Sequence, residues 1–271
     1  MTDNGGGMIG GVTFKSLGLM LTKASIPIMP DIRQTEEEIP GRDGVLDLGT
    51  RFGARMIELT FQVIADTETA YQTALQQIAA VFSPHRGQQI LILDRMSGKQ
   101  WKVKVSGSIP VEKLLQIGEF TVQLKAHEPF AESVIDSTQA LKLGMGLTLG
   151  QGFKLGQGKE IYTVTASPTT ITVTNRGTYY AQPLITLKGA GTNPQIENLT
   201  TGELMSWTGS LANGTLALDC DKQTAELNGI NAFPGFAGTF IKLAPGENTI
   251  KITAAGANLT ASFLFRHTYI Y

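Results

Sequence analysis

Apolar and polar residues alternate most cleanly over residues 56–63, MIELTFQV. Ile57, Leu59, Phe61 and Val63 fall on one face, and Met56, Glu58, Thr60 and Gln62 on the other. Side chains alternate across a strand, so this segment is a half-buried strand. The period then changes. Tyr71, Leu75, Ile78 and Phe82 recur at i, i+4, i+7 and i+11, which lays one apolar stripe along a helix predicted over residues 66–82. Asp66 is its expected N-cap, Glu68 suits the positive helix end, and Pro84 stops it. The stripe is expected to pack on the buried face of the sheet. A charged glycine loop, opening with IPGRDG at residues 39–44, feeds the strand.

Upstream, Val12, Phe14, Leu17, Leu19 and Leu21 predict short strands broken near Ser16 and ended by Pro27 and Pro30. The glycine-rich stretch before Val12 is expected to be mobile. Glu36, Glu37 and Glu38 form an acidic run expected in a solvated loop. Downstream, residues 90–95 and 100–105 read as a hairpin joined by MSGK, where Gly98 can supply a positive φ. Trp101, Val103 and Val105 alternate with Lys102 and Lys104, so Trp101 belongs to a core or interface and the lysines to a wet edge or face. Residues 119–126 repeat the alternation, and residues 127–133, with Pro129, close the first unit.

Residues 143–158 contain LGMG, LGQG and LGQG, beginning at Leu143, Leu149 and Leu155. A repeat of six is a multiple of the strand period, so the three leucines share one face of an extended chain. It is either a glycine-rich linker or an arm that docks its leucines on a neighbouring subunit. From Glu160 onward the runs ITVT, PLITLK, TLALD, TFIKL, NTIKITA and TASFLFR are separated by NRG, NGT, NGIN and PGEN. Short strands at such spacing predict an antiparallel sandwich. The reading is mainly β: residues 1–136 as an N-terminal domain, 137–158 as linker or arm, and 159–271 as a C-terminal domain.

At 271 residues the chain is long enough for two domains, each with its own core. Charged residues make up 17%, below the usual quarter, which is tolerable where surface is buried against partners. The net charge of −1 gives no global case for nucleic-acid binding. Cys220 is the single cysteine, which rules out an intrachain disulfide and suits a reducing cytoplasm. A secretory start and a span-length apolar run are both missing from the sequence, so neither export by a leader nor membrane insertion is expected.

No catalytic constellation emerges. His85, His127 and His267 lack metal-ligand spacing, and no cysteine pair accompanies them, so no metal and no cofactor are expected. The glycines of the repeat do not form a dinucleotide fingerprint, and no nucleophile elbow or phosphate loop is present. Asp219 and Asp221 share a strand face but lack a calcium loop, and a glycosidase needs two opposed carboxylates in a sugar-sized groove. One of the pair is expected to hold a turn. Trp207, Tyr179, Tyr180, Phe233 and Phe236 could stack on sugars, although such rings serve cores and interfaces equally. NLT at Asn198, NGT at Asn213 and NLT at Asn258 read as chance acceptor triplets.

Order carries more than any single motif. IPGRDG (39–44), RMIELTFQV (55–63), the lone helix and EFTVQLKAHEPF (119–130) are similar to the N-terminal domain of siphophage distal tail proteins. VTNRGTYYAQPLITLKGAGTNPQIENLTTGE (173–203), LDCDKQTAELNGIN (218–231), GTFIKLAPGENTIKI (238–252) and the final RHTYIY resemble the C-terminal part of the same family. The six-residue repeat departs from that pattern. The resemblance implies an N-terminal β-sandwich with one helix that builds a ring, and a galectin-like, jelly-roll C-terminal sandwich projecting from it. It implies a homo-hexameric baseplate hub in the virion tail, made in the host cytoplasm and not an enzyme. Its partners would be the tail tube protein, a tail-tip protein of lysin or fibre type and, in some phages, receptor-binding proteins. DNA would pass through the channel without specific binding. Glu36, Glu37 and Glu38 would line that channel, where carboxylates repel phosphate, or sit at the rim. The alternative is a carbohydrate-binding adhesion component acting through Trp207 and Tyr179; a fold alone does not imply sugar binding.

Overall fold

The computed structural model describes residues 6–114, 117–139 and 159–271. The repeat at residues 143–158 therefore lies outside the described residues. The chain divides into two compact units, one up to Glu132 together with Ile270–Tyr271, the other Ser133–Tyr269.

The first unit runs β1 (Gly7–Ile9), β2 (Val12–Thr13), β3 (Leu19–Ser25), β4 (Ile32–Glu38), β5 (Val45–Phe52) and β6 (Arg55–Ile64), then α1 (Glu68–Val81). After the helix come β7 (Gln89–Leu93), β8 (Lys99–Ser106), β9 (Val111–Leu114) and β10 (Ile117–Ala126). Strands pair in the order β2-β1-β7-β8-β10-β6-β3, while among the described residues β4 and β5 pair only with each other. The expected mobility before Val12 is corrected: residues 7–9 pair antiparallel with Leu91–Leu93. The predicted break near Ser16 is a single 3-10 turn, Lys15–Leu17.

The alternation of β6 does what its pattern demands. Ile57, Leu59, Phe61 and Val63 are buried. Phe61 is the hub of an aromatic cluster, with ring centroids 4.8 Å from Phe14, 5.6 Å from Phe120 and 5.9 Å from Phe82. The helix buries Tyr71, Ile78 and Val81. Its N-cap is Thr67, not Asp66: the Thr67 hydroxyl accepts the Ala70 N–H at 3.2 Å. Tyr71 needs Gly118 on β10, because a Cβ there would stand 2.3 Å from the phenol oxygen. Arg55, wholly buried at the start of β6, donates to the carbonyl of Pro27 at 3.0 Å and to that of Ile270. Burial pulls its pKa below the usual value, against the opposing field of Tyr271.

The second unit holds β12 (Ile161–Val164), β13 (Thr169–Asn175), β14 (Leu184–Asn198), β15 (Glu203–Trp207), β16 (Thr215–Asp219), β17 (Thr224–Leu227), β18 (Ile230–Asn231), β19 (Phe236–Gly238), β20 (Gly246–Leu264) and β21 (Arg266–Tyr269). They follow β11 (Ala131–Asp136), within which the division at Glu132 falls. PLITLK is only the first third of β14, and NTIKITA and TASFLFR belong largely to the single 19-residue β20. These two long strands pair with each other through two register shifts, between Ala190 and Gln195. The first half of β14 then pairs with β16 and its second half with β15. The first half of β20 pairs with β13 and its second half with β12. One bent pair thus serves both layers of an antiparallel sandwich. Ile185, Leu216, Leu259 and Phe263 from one layer and Val173, Ile196, Met205 and Ile252 from the other share a single core.

TFIKL does not form a strand. Residues 239–245 make one isolated bridge, Ala181 to Leu243, although Ile241 and Leu243 are fully buried. Three buried asparagines take the place of a ladder. Asn175 donates to the Leu243 carbonyl at 3.0 Å, Asn198 to the Lys242 carbonyl at 2.7 Å, and Asn248 both accepts from Ala244 N and donates to its carbonyl at 2.8 Å. Glu203 accepts the Lys242 N–H at 2.8 Å.

Candidate functional site

The acidic run is strand, not loop. Glu36, Glu37 and Glu38 end β4, which pairs antiparallel with β5, and every residue from 32 to 51 is exposed. Strand alternation splits the run: Glu36 and Glu38 share one face, and Glu37 lies on the other. Asp47 pairs with Glu36, and Arg33 pairs with Arg51. No ion pair joins Arg33, Glu36, Glu37, Glu38 or Arg51 to another described residue. The hairpin also presents Ile32 (52% exposed), Val45 (51%) and Leu48 (54%) to solvent. Apolar groups left bare on a ribbon without a core mark a surface meant for something else.

The aromatic candidates of the second unit are not gathered in one place. Trp207 is only 7% exposed, and its Nε1 donates to the Ala232 carbonyl at 3.0 Å. Gly209 and Gly235 make room for its indole, since a Cβ would come within 2.3 Å and 2.8 Å of the ring atoms. It lines an open groove of about 380 Å³ with Thr208, Leu227, Asn228, Ile230 and Asn231. Tyr179 is absent from that groove; its backbone bridges to Thr268, and its ring meets Tyr180 edge-on at 5.7 Å. Phe233, Phe236 and Phe240 form a separate stack, 5.5 Å and 4.2 Å between successive centroids.

The titratable groups are occupied by the fold. Asp219 is partly buried, which raises its pKa, but N–H donation from Lys222 and Asp221 and the Lys222 ammonium at 3.1 Å outweigh this and hold it low. It is the member of the aspartate pair that holds the turn. Burial pushes the Cys220 thiol up to about 12, so it stays protonated. Burial, helped by the Arg176 charge, drives His267 down to about 3; its Nδ1 accepts the Arg176 N–H at 3.1 Å. Burial raises the pKa of Glu160, which receives the Tyr162 hydroxyl. Among the described residues, no group of His, Cys, Asp and Glu could hold a metal ion, and no helix is long and apolar enough to cross a membrane.

The sequence reading missed the asparagine clamp. Its only signal was that Asn175 and Asn248 sit in turn motifs beside buried runs, and Asn198 in an acceptor triplet. Two family models match the chain. Residues 13–126 match a phage tail protein RIFT-related domain, and residues 176–267 the C-terminal domain of a siphovirus-type tail component. Among solved structures, the Dit protein of phage SPP1, described as a paradigm of hub adsorption apparatus in phages infecting Gram-positive hosts, aligns with 97% of this chain and 98% of its own. The TM-score is 0.73 at 15% identity, a likeness of fold. A chain of the phage P2 baseplate in its activated conformation aligns with 92% of this chain and 90% of its own, at 10% identity and a TM-score of 0.42, too low to carry an argument. A search of curated proteins finds no match.

Proposed function

Since this chain belongs to the siphophage distal tail protein family, whose place is the virion tail at the baseplate, we propose that six copies close into a hub ring. The ring joins the tail tube to the tail tip and lets DNA pass through a central channel. The observation that carries this reading is the β4–β5 hairpin, which among the described residues is paired only with itself and bare on both faces. A ring needs two different surfaces meeting head to tail, and a two-faced ribbon offers them. Residues 1–136 build the ring and residues 159–271 form a second, sandwich domain. The partners are the tail tube protein, a tail-tip protein of lysin or fibre type and, where one is present, a receptor-binding protein. A net charge of −1 suits a conduit that DNA crosses without sticking. The role is structural and not catalytic, in keeping with the committed states of Asp219, Cys220 and His267. The hairpin carrying Glu36, Glu37 and Glu38 belongs at the ring's rim. Light scattering on the purified protein over a range of concentrations tests the assembly: a species of six chain masses is expected, and a strict monomer throughout contradicts it.

A second reading, carbohydrate binding by the C-terminal sandwich, is favoured by one observation, the groove beside Trp207 with Thr208, Asn228 and Asn231 on its wall. Glycan binding that disappears in Trp207→Ala and persists in Tyr179→Ala would support it. No binding to host-wall polysaccharide by the intact protein would dismiss it.

A further inference from the structure

The hairpin sorts its charges by sign. On β4, Ile32, Gln34, Glu36 and Glu38 share one face, and Arg33 and Glu37 the other. Their partners on β5 lie on the same faces: Phe52, Thr50, Asp47 and Val45 with the first set, Arg51 and Leu46 with the second. A register shift makes this so. Between the Gln34–Thr50 and Glu36–Asp47 pairs, β5 carries one extra residue, at Leu48 and Gly49, where Gly49 takes a φ of +121°. Without that bulge Asp47 would fall on the face of Arg33 and Arg51 and could neutralise them. With it, one face carries Glu36, Glu38 and Asp47 and no cation, and the other carries Arg33, Arg51 and a single carboxylate, Glu37.

Both like-charge pairs stand directly opposite across the ribbon, an arrangement that destabilises a hairpin left alone. An isolated two-stranded ribbon is already marginal in water. The Gly49 N–H donates to the Asp47 carboxylate at 2.9 Å, but among the described residues no charge of opposite sign forms an ion pair with either pair. A second copy of the same ribbon can relieve both, because its opposite face carries the opposite sign.

We propose that the β4–β5 hairpin is the head-to-tail contact between copies of this chain, with the Glu36–Glu38–Asp47 face of one hairpin docked on the Arg33–Arg51 face of the next. The proposal rests on the ring reading and names the surface that closes the ring. The acidic and arginine pairs lie three residues apart along β4, about 10 Å at strand rise, so neighbouring hairpins are staggered by about that length. Leu46 on the arginine face and Val45 on the acidic face then bury each other beside the ion pairs. The contact is heterologous, the kind that closes by rotation.

Sedimentation of the full-length protein tests this with four forms: wild type, R33E/R51E, E36K/D47K, and the combination of all four substitutions. Each double reversal is expected to weaken self-association about tenfold or more, and the combination to restore it. A fifth form, R51C/D47C, should give disulfide-linked species larger than dimers on oxidation, with buried Cys220 taking no part. If wild type associates and the reversed forms associate equally well, the hairpin contact is wrong and the ring stands. If the double reversals dissociate and the combination does not recover, while all unfold alike, the face-to-face pairing is wrong. If wild type stays monomeric and R51C/D47C gives no cross-link at any concentration, both the contact and the ring fall.

Discussion

Two segments of this molecule invert each other. Residues 32–52 form an antiparallel ribbon, paired along its length apart from one bulge, with its side chains in water. Residues 239–245 form almost no ladder, yet Ile241 and Leu243 are sealed in the core. Backbone regularity and burial are therefore separate matters here. Buried backbone must be hydrogen-bonded by something; in the second segment asparagine side chains share that task with backbone bonds to Ala181 and Leu204, which leaves the chain free to follow the core. In the first the ladder is interrupted only by the bulge at Leu48 and Gly49, and no core is built on either face, so its side chains are free to serve a partner.

Substitutions should separate the two sharply. Ile241→Ala is expected to destabilise the second unit by about 3 kcal/mol, read in urea unfolding, whereas Leu48→Ala should change stability by less than about 0.5 kcal/mol. Equal effects would erase the contrast. Asn248→Ala should cost about 2 kcal/mol, because the half-buried Ala244 N–H and carbonyl both lose their partner; a neutral result would mean that the clamp does not hold the segment.

Acid comes next. His267 is neutral in the fold, with a pKa of about 3 against 6.5 in the unfolded chain, so the unfolded state binds the extra proton. Its contribution is complete above pH 6.5 and drains as pH falls toward about 3, by at most about 1.4 kcal/mol per pH unit. Glu160, raised by burial, works the other way: the fold takes up its proton first, and this offsets part of the loss as the carboxylate titrates. His267→Gln should flatten melting temperature between pH 6.5 and 5, and an unchanged slope would contradict this assignment. The smallest effect is Glu36→Lys, which sets opposite charges across from each other at Asp47. The single chain should melt slightly higher while its self-association weakens. A lower melting temperature would remove the argument from like charges.

Legibility in the sequence followed the same divide. Where a residue's period and its burial agree, as in Ile57, Leu59, Phe61 and Val63 of β6 or Tyr71 and Ile78 of α1, pattern alone finds the element. TFIKL alternates well but lies in a segment held in part by Asn175 and Asn198, both more than forty residues away in sequence, and no local pattern reports that they converge on it with the nearby Asn248. The hairpin failed for the opposite reason. EEE carries no apolar alternation because neither face is buried within the chain, so a strand reads as a loop. Glu36, Glu37 and Glu38 were visible as a charge run, but their division between faces depends on the extra β5 residue at Leu48 and Gly49. Trp207 stood out as an aromatic, whereas its burial rests on Gly209, two residues on, and on Gly235, which only the fold brings to its ring.

Cryo-electron microscopy of assembled particles bears most directly on the claim that this chain is a ring-forming conduit. The account predicts a six-fold ring at the distal end of the tail tube, open along its axis, with adjacent β4–β5 hairpins in contact around it. A closed axis, or density for this chain anywhere but the end of the tail, would contradict it.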